Sequence, residues 1–301
     1  MAGSYPPWAD QDRSTHLSAG TQPSASGLAR ARLRGLRARA DRRRVPSPAA
    51  MPPLASFHLH RYPARHAVSA MADLVARRRA LEATPGLRFA RRLGTGRGSA
   101  MGFGGDLRRW ATFAVWDDEE ALDAFLFGSP VAARWAEHAE ETWSVRLAPL
   151  SAHGSWGGVA VLAGMAGDAP PAADGGPKHP VAVLTRARIP VRHWPAFYRS
   201  VPAVDHHFRR SPGLLAALGI GEAPVGLQAT FSLWRSVADM EAFAYGGSPH
   251  EEVVRRTRRH GWFDEELFAR FRPYRSAGTW DGIDPLAGAG AGAGRAGAKG
   301  S

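Results

Sequence analysis

Apolar and polar positions form two successive series of strand and helix patterns. In the first half, short apolar or alternating runs predict strands at about 54–60, 87–94, 109–116 and 143–153, and apolar spacings of three and four predict helices at about 66–83 and 118–141. In the second half the same patterns predict strands at about 180–188, 214–220, 227–234 and 270–280, with helices at about 192–209 and 236–269. Each half therefore follows the order β-α-β-β-α-β, the ferredoxin-like unit.

The two halves also repeat each other in sequence. Ala111–Trp116 matches Ala229–Trp234, Gly128-Ser-Pro130 matches Gly247-Ser-Pro249, and Trp156 matches Trp280. A single unit of this kind leaves one sheet face uncovered, because its helices lie on one side only. We therefore expect an α+β fold in which two tandem ferredoxin-like repeats pack sheet to sheet as an α-β barrel and enclose a common apolar cavity.

Composition changes outside these repeats. Residues 1–50 are rich in Ser, Pro, Gly, Ala and Arg and are predicted to be a disordered basic leader. Met51 stands immediately before the first strand pattern and is the hypothetical native start. The expected boundaries are 51–163 for the first repeat, 164–179 for a linker rich in Pro and Gly, 180–286 for the second repeat and 287–301 for a disordered Ala/Gly tail.

The net charge of +12 arises mainly in the terminal segments. Residues 1–50 hold nine arginines against three aspartates, or +6, and the tail adds Arg295 and Lys299. Only +4 remains for the repeats, so we expect no specific nucleic-acid partner. The sequence has no cysteine, which excludes disulfides and thiolate metal sites, and no apolar run of about 18 residues. A cytoplasmic protein is the expected class.

Several motifs resemble the spheroidene monooxygenase family of acyclic carotenoid 2-oxygenases. They are Gln228–Trp234, Met240–Ala244, Ser248-Pro-His250 and Gly261–Phe271 in the second half, and Ser151–Trp156 in the first. The resemblance covers roughly residues 54–286. It implies an α-β barrel monooxygenase with haem b as cofactor and O2 as co-substrate, which needs an electron donor and oxygenates C2 of an acyclic carotenoid. One departure is Phe268, where the family commonly has tyrosine.

The implied haem would require an axial ligand from His, Tyr or Met in this cysteine-free chain. The repeats differ at one informative position, since Pro130-Val131 in the first corresponds to Pro249-His250 in the second. His250 is therefore the predicted axial ligand of the iron. The alternative is that His250 is a surface residue or hydrogen-bonds a helix terminus.

Four further residues are predicted to line the cofactor site. Arg186 would pair with the haem propionates, and Phe231 lies on another strand of the same predicted sheet. Trp262 and Phe263 are expected to lead into the final helix. Aromatic residues in such positions are more often plain core than part of a cofactor site, and this alternative stays open for all three. No catalytic residue is assigned.

A nucleic-acid binder that uses the arginine-rich residues 1–50 is one alternative function at the level of sequence, and two other functional classes also remain open. One is a cofactor-free α-β barrel monooxygenase that acts on a phenol or quinol, in which the substrate itself activates O2. The other is a non-enzymatic module that binds haem or another small molecule. A hydrophobic substrate such as a carotenoid would also have to be collected from a membrane or a partner enzyme, so peripheral membrane contact fits the leading hypothesis.

Overall fold

The computed structural model describes residues 52–97, 104–165, 179–222, 226–245 and 262–288. The chain divides into two units, Met1–Pro48 and Ala49–Ser301, and every described residue belongs to the second. The predicted leader and most of the predicted linker and tail lie outside the described residues. His250 lies outside them as well.

Eight strands among the described residues form one closed antiparallel barrel in the order β1-β3-β2-β6-β7-β5-β8-β4. The strands are β1 (Leu54–Arg61), β2 (Leu87–Gly96), β3 (Gly105–Trp116), β4 (Glu141–Gly154), β5 (Val181–Arg188), β6 (Leu214–Gly221), β7 (Leu227–Trp234) and β8 (Glu265–Gly278). The helices are α1 (Ala67–Ala76), α2 (Arg78–Glu82), α3 (Glu119–Gly128), α4 (Pro130–His138), α5 (Trp194–Arg209) and α6 (Val237–Tyr245). Short 3-10 turns, Ala64–His66 and Val191–His193, precede α1 and α5. The predicted α+β barrel of two ferredoxin-like repeats is confirmed.

Two predicted helices have different limits in the structure. The segment predicted as one helix at 118–141 breaks at Ser129, whose hydroxyl accepts a hydrogen bond from the backbone N–H of Ala132 at 3.0 Å and caps α4. The helix predicted at 236–269 is wrong at its end, because residues from Glu265 onward form β8. Leu267 and Phe271 point inward with the two-residue period of a strand, which the helix-favouring composition of this segment conceals.

The repeats join at two seams, β2 with β6 and β4 with β8. The β4–β8 seam is symmetric, since Trp143 pairs with Gly278 and Gly154 pairs with Leu267. Both glycines have positive φ angles, 90° and 85°, and a Cβ atom on either would lie 2.0 Å from a backbone oxygen of the opposite strand. Only glycine therefore allows the two strands to approach at these two points.

The barrel interior is packed with side chains, so the expected common cavity is absent at its centre. Phe57 of the first repeat stacks on Phe231 of the second, with ring centroids 3.9 Å apart and planes 6° from parallel. Trp156 stacks on Phe113 near one end, while Trp280 contacts Trp143 near the other. The sequence predicted that the sheets would face each other, but it did not reveal that large aromatic residues from both would meet on the axis.

Each tryptophan-bearing turn is fastened by a glutamate from the other repeat. Glu265 of β8 accepts hydrogen bonds from the Ser155 hydroxyl at 2.9 Å and the Gly158 backbone N–H at 2.6 Å. Glu141 of β4 does the same for Thr279 and Gly282, at 3.0 and 2.7 Å. The end of each repeat is thus held in place by the beginning of the last strand of the other repeat.

Candidate functional site

Two histidine rings lie on the outer face of the first-repeat sheet. His58 and His60 on β1 lie under Trp135 of α4, with ring centroids 6.0 and 5.1 Å from that of the indole. His58 Nε2 is 2.9 Å from the Ser56 hydroxyl, which also accepts a hydrogen bond from the Trp116 indole N–H. These rings close the space between sheet and helix in this repeat.

Both histidines are held in the uncharged form. Burial of the ring lowers the pKa of His58 to about 4, and the nearby positive charge of Arg146 acts in the same direction. Burial lowers the pKa of His60 to about 3, with a smaller contribution from His58. At neutral pH the two imidazoles therefore serve as uncharged packing groups in the first repeat.

The equivalent face of the second repeat carries small side chains. The strand registers align His58 with Thr185, His60 with Ala187 and Arg92 with Gly219. Gly219, Thr230 and Thr185 lie directly beside one another across β6, β7 and β5, and we call these three residues the small-residue row. Both threonines are half-buried. On the described strands of the second repeat, threonine, alanine and glycine thus stand where the first repeat has His58, His60 and Arg92.

Two separate apolar clusters flank the small-residue row. One contains Val181, Val183, Phe208, Trp234, Met240 and Phe243, and the other contains Ala187, Ile189, Phe197, Tyr198 and Trp262. In the first repeat, one outer cluster includes Leu54, Trp116 and Phe125 together with Val131 and Trp135 of α4. Phe268 pairs with Thr185 and continues the row on β8. Among the described residues, the outer face of the second repeat therefore carries a strip of short side chains between two apolar clusters.

Arg186 and Phe231 face the barrel interior rather than this strip. The Arg186 guanidinium pairs with Glu265 and with Glu222 at 3.2 Å, and it lies 5.6 Å from the Trp156 ring. Its charge is balanced by two carboxylates within the protein, and the propionate role expected from the sequence stays a prediction. Phe231 is part of the axial stack described above.

Trp262 and Phe263 lie on the other side of the sheet from Arg186 and Phe231. Trp262 is buried in the cluster with Phe197 and Tyr198, and Phe263 makes an edge contact with Phe197 at 6.2 Å. They precede β8 instead of the expected final helix. The four predicted residues do not line one pocket, and their cofactor role stays a prediction. Only Trp262 and Phe263 belong to a wall of the small-residue row.

Glu265 is the most strongly perturbed carboxylate of this region. Burial alone would raise its pKa, but hydrogen bonds from the Gly158 backbone N–H, Arg186, Arg188 and Ser155 hold the pKa far below its usual value. Glu265 is therefore a permanent anion that fixes Arg186 and the Trp156 turn. These contacts stabilise this end of the barrel.

Sequence reasoning missed the small-residue row because threonine, glycine and alanine carry no chemical signal of their own. A comparison of the repeats strand by strand could have found it, since the loss of two rings at Thr185 and Ala187 is visible once β1 and β5 are aligned. Within the described ranges, no group of three His, Asp or Glu residues could hold a metal ion. No described helix is both long and apolar enough to span a bilayer.

No protein-family model matches the chain, but curated relatives do. The spheroidene monooxygenase of Rhodobacter capsulatus is 38% identical over 236 residues, which are 78% of this chain and 96% of the relative. The spheroidene monooxygenase of Rubrivivax gelatinosus is 37% identical over 198 residues, 66% of this chain and 73% of the relative. That of Cereibacter sphaeroides is 34% identical, over 72% of this chain and 65% of the relative.

Solved structures resemble the chain more distantly. An aldoxime dehydratase is 11% identical, with a TM-score of 0.49, and the match covers 73% of this chain and 81% of that one. A putative monooxygenase from Lactobacillus acidophilus is also 11% identical, with a TM-score of 0.31, and the match covers 75% and 96%.

Proposed function

Because this chain belongs to the spheroidene monooxygenase family and is a carotenoid monooxygenase, we propose that its substrate is an acyclic polyene of the spheroidene type. The polyene would bind at the small-residue row of the second repeat, and oxygen would enter it at C2. The observation that carries the activity is the 38% identity to a spheroidene monooxygenase over 96% of that relative. The observation that carries the location is the replacement of His58 and His60 by Thr185 and Ala187.

The strip suits a polyene for physical reasons. A carotenoid is long, flat and apolar, and it gains most from a surface that removes both of its faces from water. The two apolar clusters would supply the walls, and the described sheet surface between them carries only the short side chains of Gly219, Thr230 and Thr185. The hydroxyl groups of the threonines would orient the substrate at one point of an otherwise apolar surface.

Haem b is part of the same proposal. The aromatic side of the strip, with Phe197 and Trp262, has the flat apolar character that a porphyrin requires, so this face fits the group better than the packed barrel interior. We retain His250 as the proposed axial ligand. Its counterpart Val131 is buried in the cluster between sheet and helices of the first repeat, which is where a ligand to a group in the strip would be needed. Bound haem would supply O2 activation.

The chain's own residues would position the substrate and exclude water. Insertion of one atom of O2 into a C–H bond requires two electrons and two protons to reduce the other atom to water, so the reaction needs an external electron donor. The walls of the strip keep that chemistry away from bulk solvent. Arg186 and Glu265 act at a distance from it, since their charges are matched inside the barrel end.

Oxygen-isotope labelling tests the activity. The full chain would be supplied with spheroidene, an electron donor and ¹⁸O2, and the product would be analysed by mass spectrometry. We expect one ¹⁸O atom in the product, placed at C2 by fragmentation. Conversion of a phenol or quinol without spheroidene turnover, or oxygen that comes from water, would contradict the proposal. A Soret absorption band in the purified chain tests the cofactor separately.

A further inference from the structure

A line of exposed residues follows one side of α5 and the 3-10 turn before it. Arg192, Arg199 and His206 are spaced seven residues apart, with Pro195 and Pro202 between them. On α5, the spacing of Pro195, Arg199, Pro202 and His206 by three or four residues keeps these positions on one side of the helix, and Arg192 lies in the 3-10 turn just before it. All five are exposed, and we call them the α5 stripe. No described strand or helix covers this side.

The positive charge of the α5 stripe is only weakly matched within the protein. Arg192 is 68% exposed and lies 3.9 Å from Asp264, the limit of an ion pair. Among the described residues, no carboxylate forms an ion pair with Arg199. Arg210, at the end of the helix, is also exposed. The face can therefore attract an anionic surface without first breaking strong internal pairs.

Apolar and amphipathic groups accompany this charge. Val191, at the start of the turn, is 70% exposed. An open groove beside it is lined by Trp194, Pro195, Tyr198 and Arg199. The Trp194 indole N–H donates to the Ile189 carbonyl at 2.8 Å, which fixes the ring at the edge of the groove. Tryptophan and tyrosine beside arginine are the composition of the interface between lipid headgroups and hydrocarbon.

We propose that the α5 stripe, together with Val191 and the Trp194 groove, docks on an anionic lipid bilayer. This inference rests on the proposed function, because it explains how the enzyme reaches an apolar substrate dissolved in a membrane. Tyr198 lines the groove and also belongs to the apolar cluster that walls the small-residue row. Docking through α5 thus brings one wall of the strip to the lipid surface. In this orientation the second repeat contacts the membrane and the first does not.

A fluorescent label tests the contact directly, since the cysteine-free chain permits labelling at one chosen site. Val191→Cys would carry an environment-sensitive fluorophore, and Val68→Cys on α1 is the matched control because Val68 is 72% exposed. With vesicles of equal parts phosphatidylglycerol and phosphatidylcholine, the label at 191 should shift to shorter wavelength and brighten, while the label at 68 should not. An unchanged signal at 191, or equal changes at both sites, overturns the proposal. So does a change that follows protein concentration without vesicles, which would indicate a second copy of the chain.

Sedimentation with the same vesicles tests the charge. Each arginine near an anionic membrane contributes about 1 kcal/mol, so Arg192→Ala with Arg199→Ala should weaken binding roughly 10- to 30-fold. The control, Arg65→Ala with Arg79→Ala, removes two exposed charges from the first repeat and should change it less than about threefold. Equal effects of the two double variants would show that binding is not specific to this face and would overturn the assignment to α5. Neither measurement requires turnover, so the docking proposal and the proposed function can fail independently. A protein that does not bind vesicles can still oxygenate detergent-dispersed spheroidene, and an inactive protein can still bind vesicles.

Discussion

Phe57 and Phe231 stack face to face on the barrel axis, 3.9 Å apart, and each comes from a different repeat. This contact occupies the place where the repeats were expected to enclose a cavity. The proposed substrate-binding surface lies outside the barrel, on the outer face of the second repeat.

Removal of either ring of the axial stack should affect stability rather than turnover. Phe57→Ala and Phe231→Ala each leave a large void in a packed core and should lower the free energy of unfolding by about 3–5 kcal/mol. The double variant should show coupling of about 0.5–1.5 kcal/mol beyond the area term. Urea denaturation of the four proteins measures both. If the Phe231→Ala protein folds with no loss of stability and shows a shifted haem spectrum, Phe231 is a cofactor-site residue and not a core residue.

The cross-repeat glutamates should differ in their importance. Glu265→Gln leaves the buried Arg186 with a weaker partner and should destabilise the fold by about 3–5 kcal/mol. Glu141→Gln affects a more exposed arginine, Arg61, and should cost about 1–3 kcal/mol. Thermal unfolding followed by circular dichroism compares the two variants directly. Equal or reversed effects would contradict the account of the Arg186 end as the more tightly organised one.

Stability should fall as the pH drops from 6.5 towards 5. The pKa values of His58 and His60 are about 4 and about 3 in the folded protein, whereas an unfolded histidine titrates near 6.5. The unfolded chain therefore binds more protons in this window, so each histidine lowers the free energy of unfolding by up to about 1.4 kcal/mol per pH unit. The matched variant His60→Gln should lose about half of the slope. A flat profile between pH 6.5 and 5 would show that the rings are accessible to protons.

Phe268→Tyr tests the departure from the family pattern. Phe268 pairs with Thr185 at the end of the small-residue row and is only half-buried, so an added hydroxyl can reach solvent and should cost less than about 1 kcal/mol of stability. If the strip binds the substrate, the variant should change KM or the product pattern. Kinetics with spheroidene measure this, with Phe271→Tyr in the packed core as a control that should instead destabilise the protein. Unchanged kinetics would place the substrate away from β8.

Much of the fold was predictable from local patterns. The strands at 54–60 and 109–116 were recognisable from short apolar runs, and the match of Ala111–Trp116 to Ala229–Trp234 revealed the duplication. The strand character of Glu265–Phe271 was missed, because glutamate, leucine and alanine favour helices locally and only barrel closure against β4 and β5 decides otherwise.

The site was less predictable for a different reason. The direction of a side chain on a strand depends on register, and Arg186 and Ala187 face opposite sides of the sheet although they are neighbours in sequence. Arg186 attracted attention as a charged residue, but its carboxylate partners Glu222 and Glu265 lie 36 and 79 residues away. Such long-range pairing cannot be inferred from one strand.

The most direct test of the central claim is the rate of spheroidene oxygenation by two ring-bearing variants. Thr185→Phe restores to the small-residue row the bulk that the first repeat has at His58, and Thr185→Ser is its control for folding and loss of the methyl group. His58→Phe keeps a ring on the first-repeat face. The account predicts that Thr185→Phe folds but loses at least about tenfold in kcat/KM, equivalent to about 1.4 kcal/mol, while Thr185→Ser and His58→Phe stay within about threefold of the parent. Full activity of Thr185→Phe, or an equal loss in a folded His58→Phe protein, would contradict a binding site on the outer face of the second repeat.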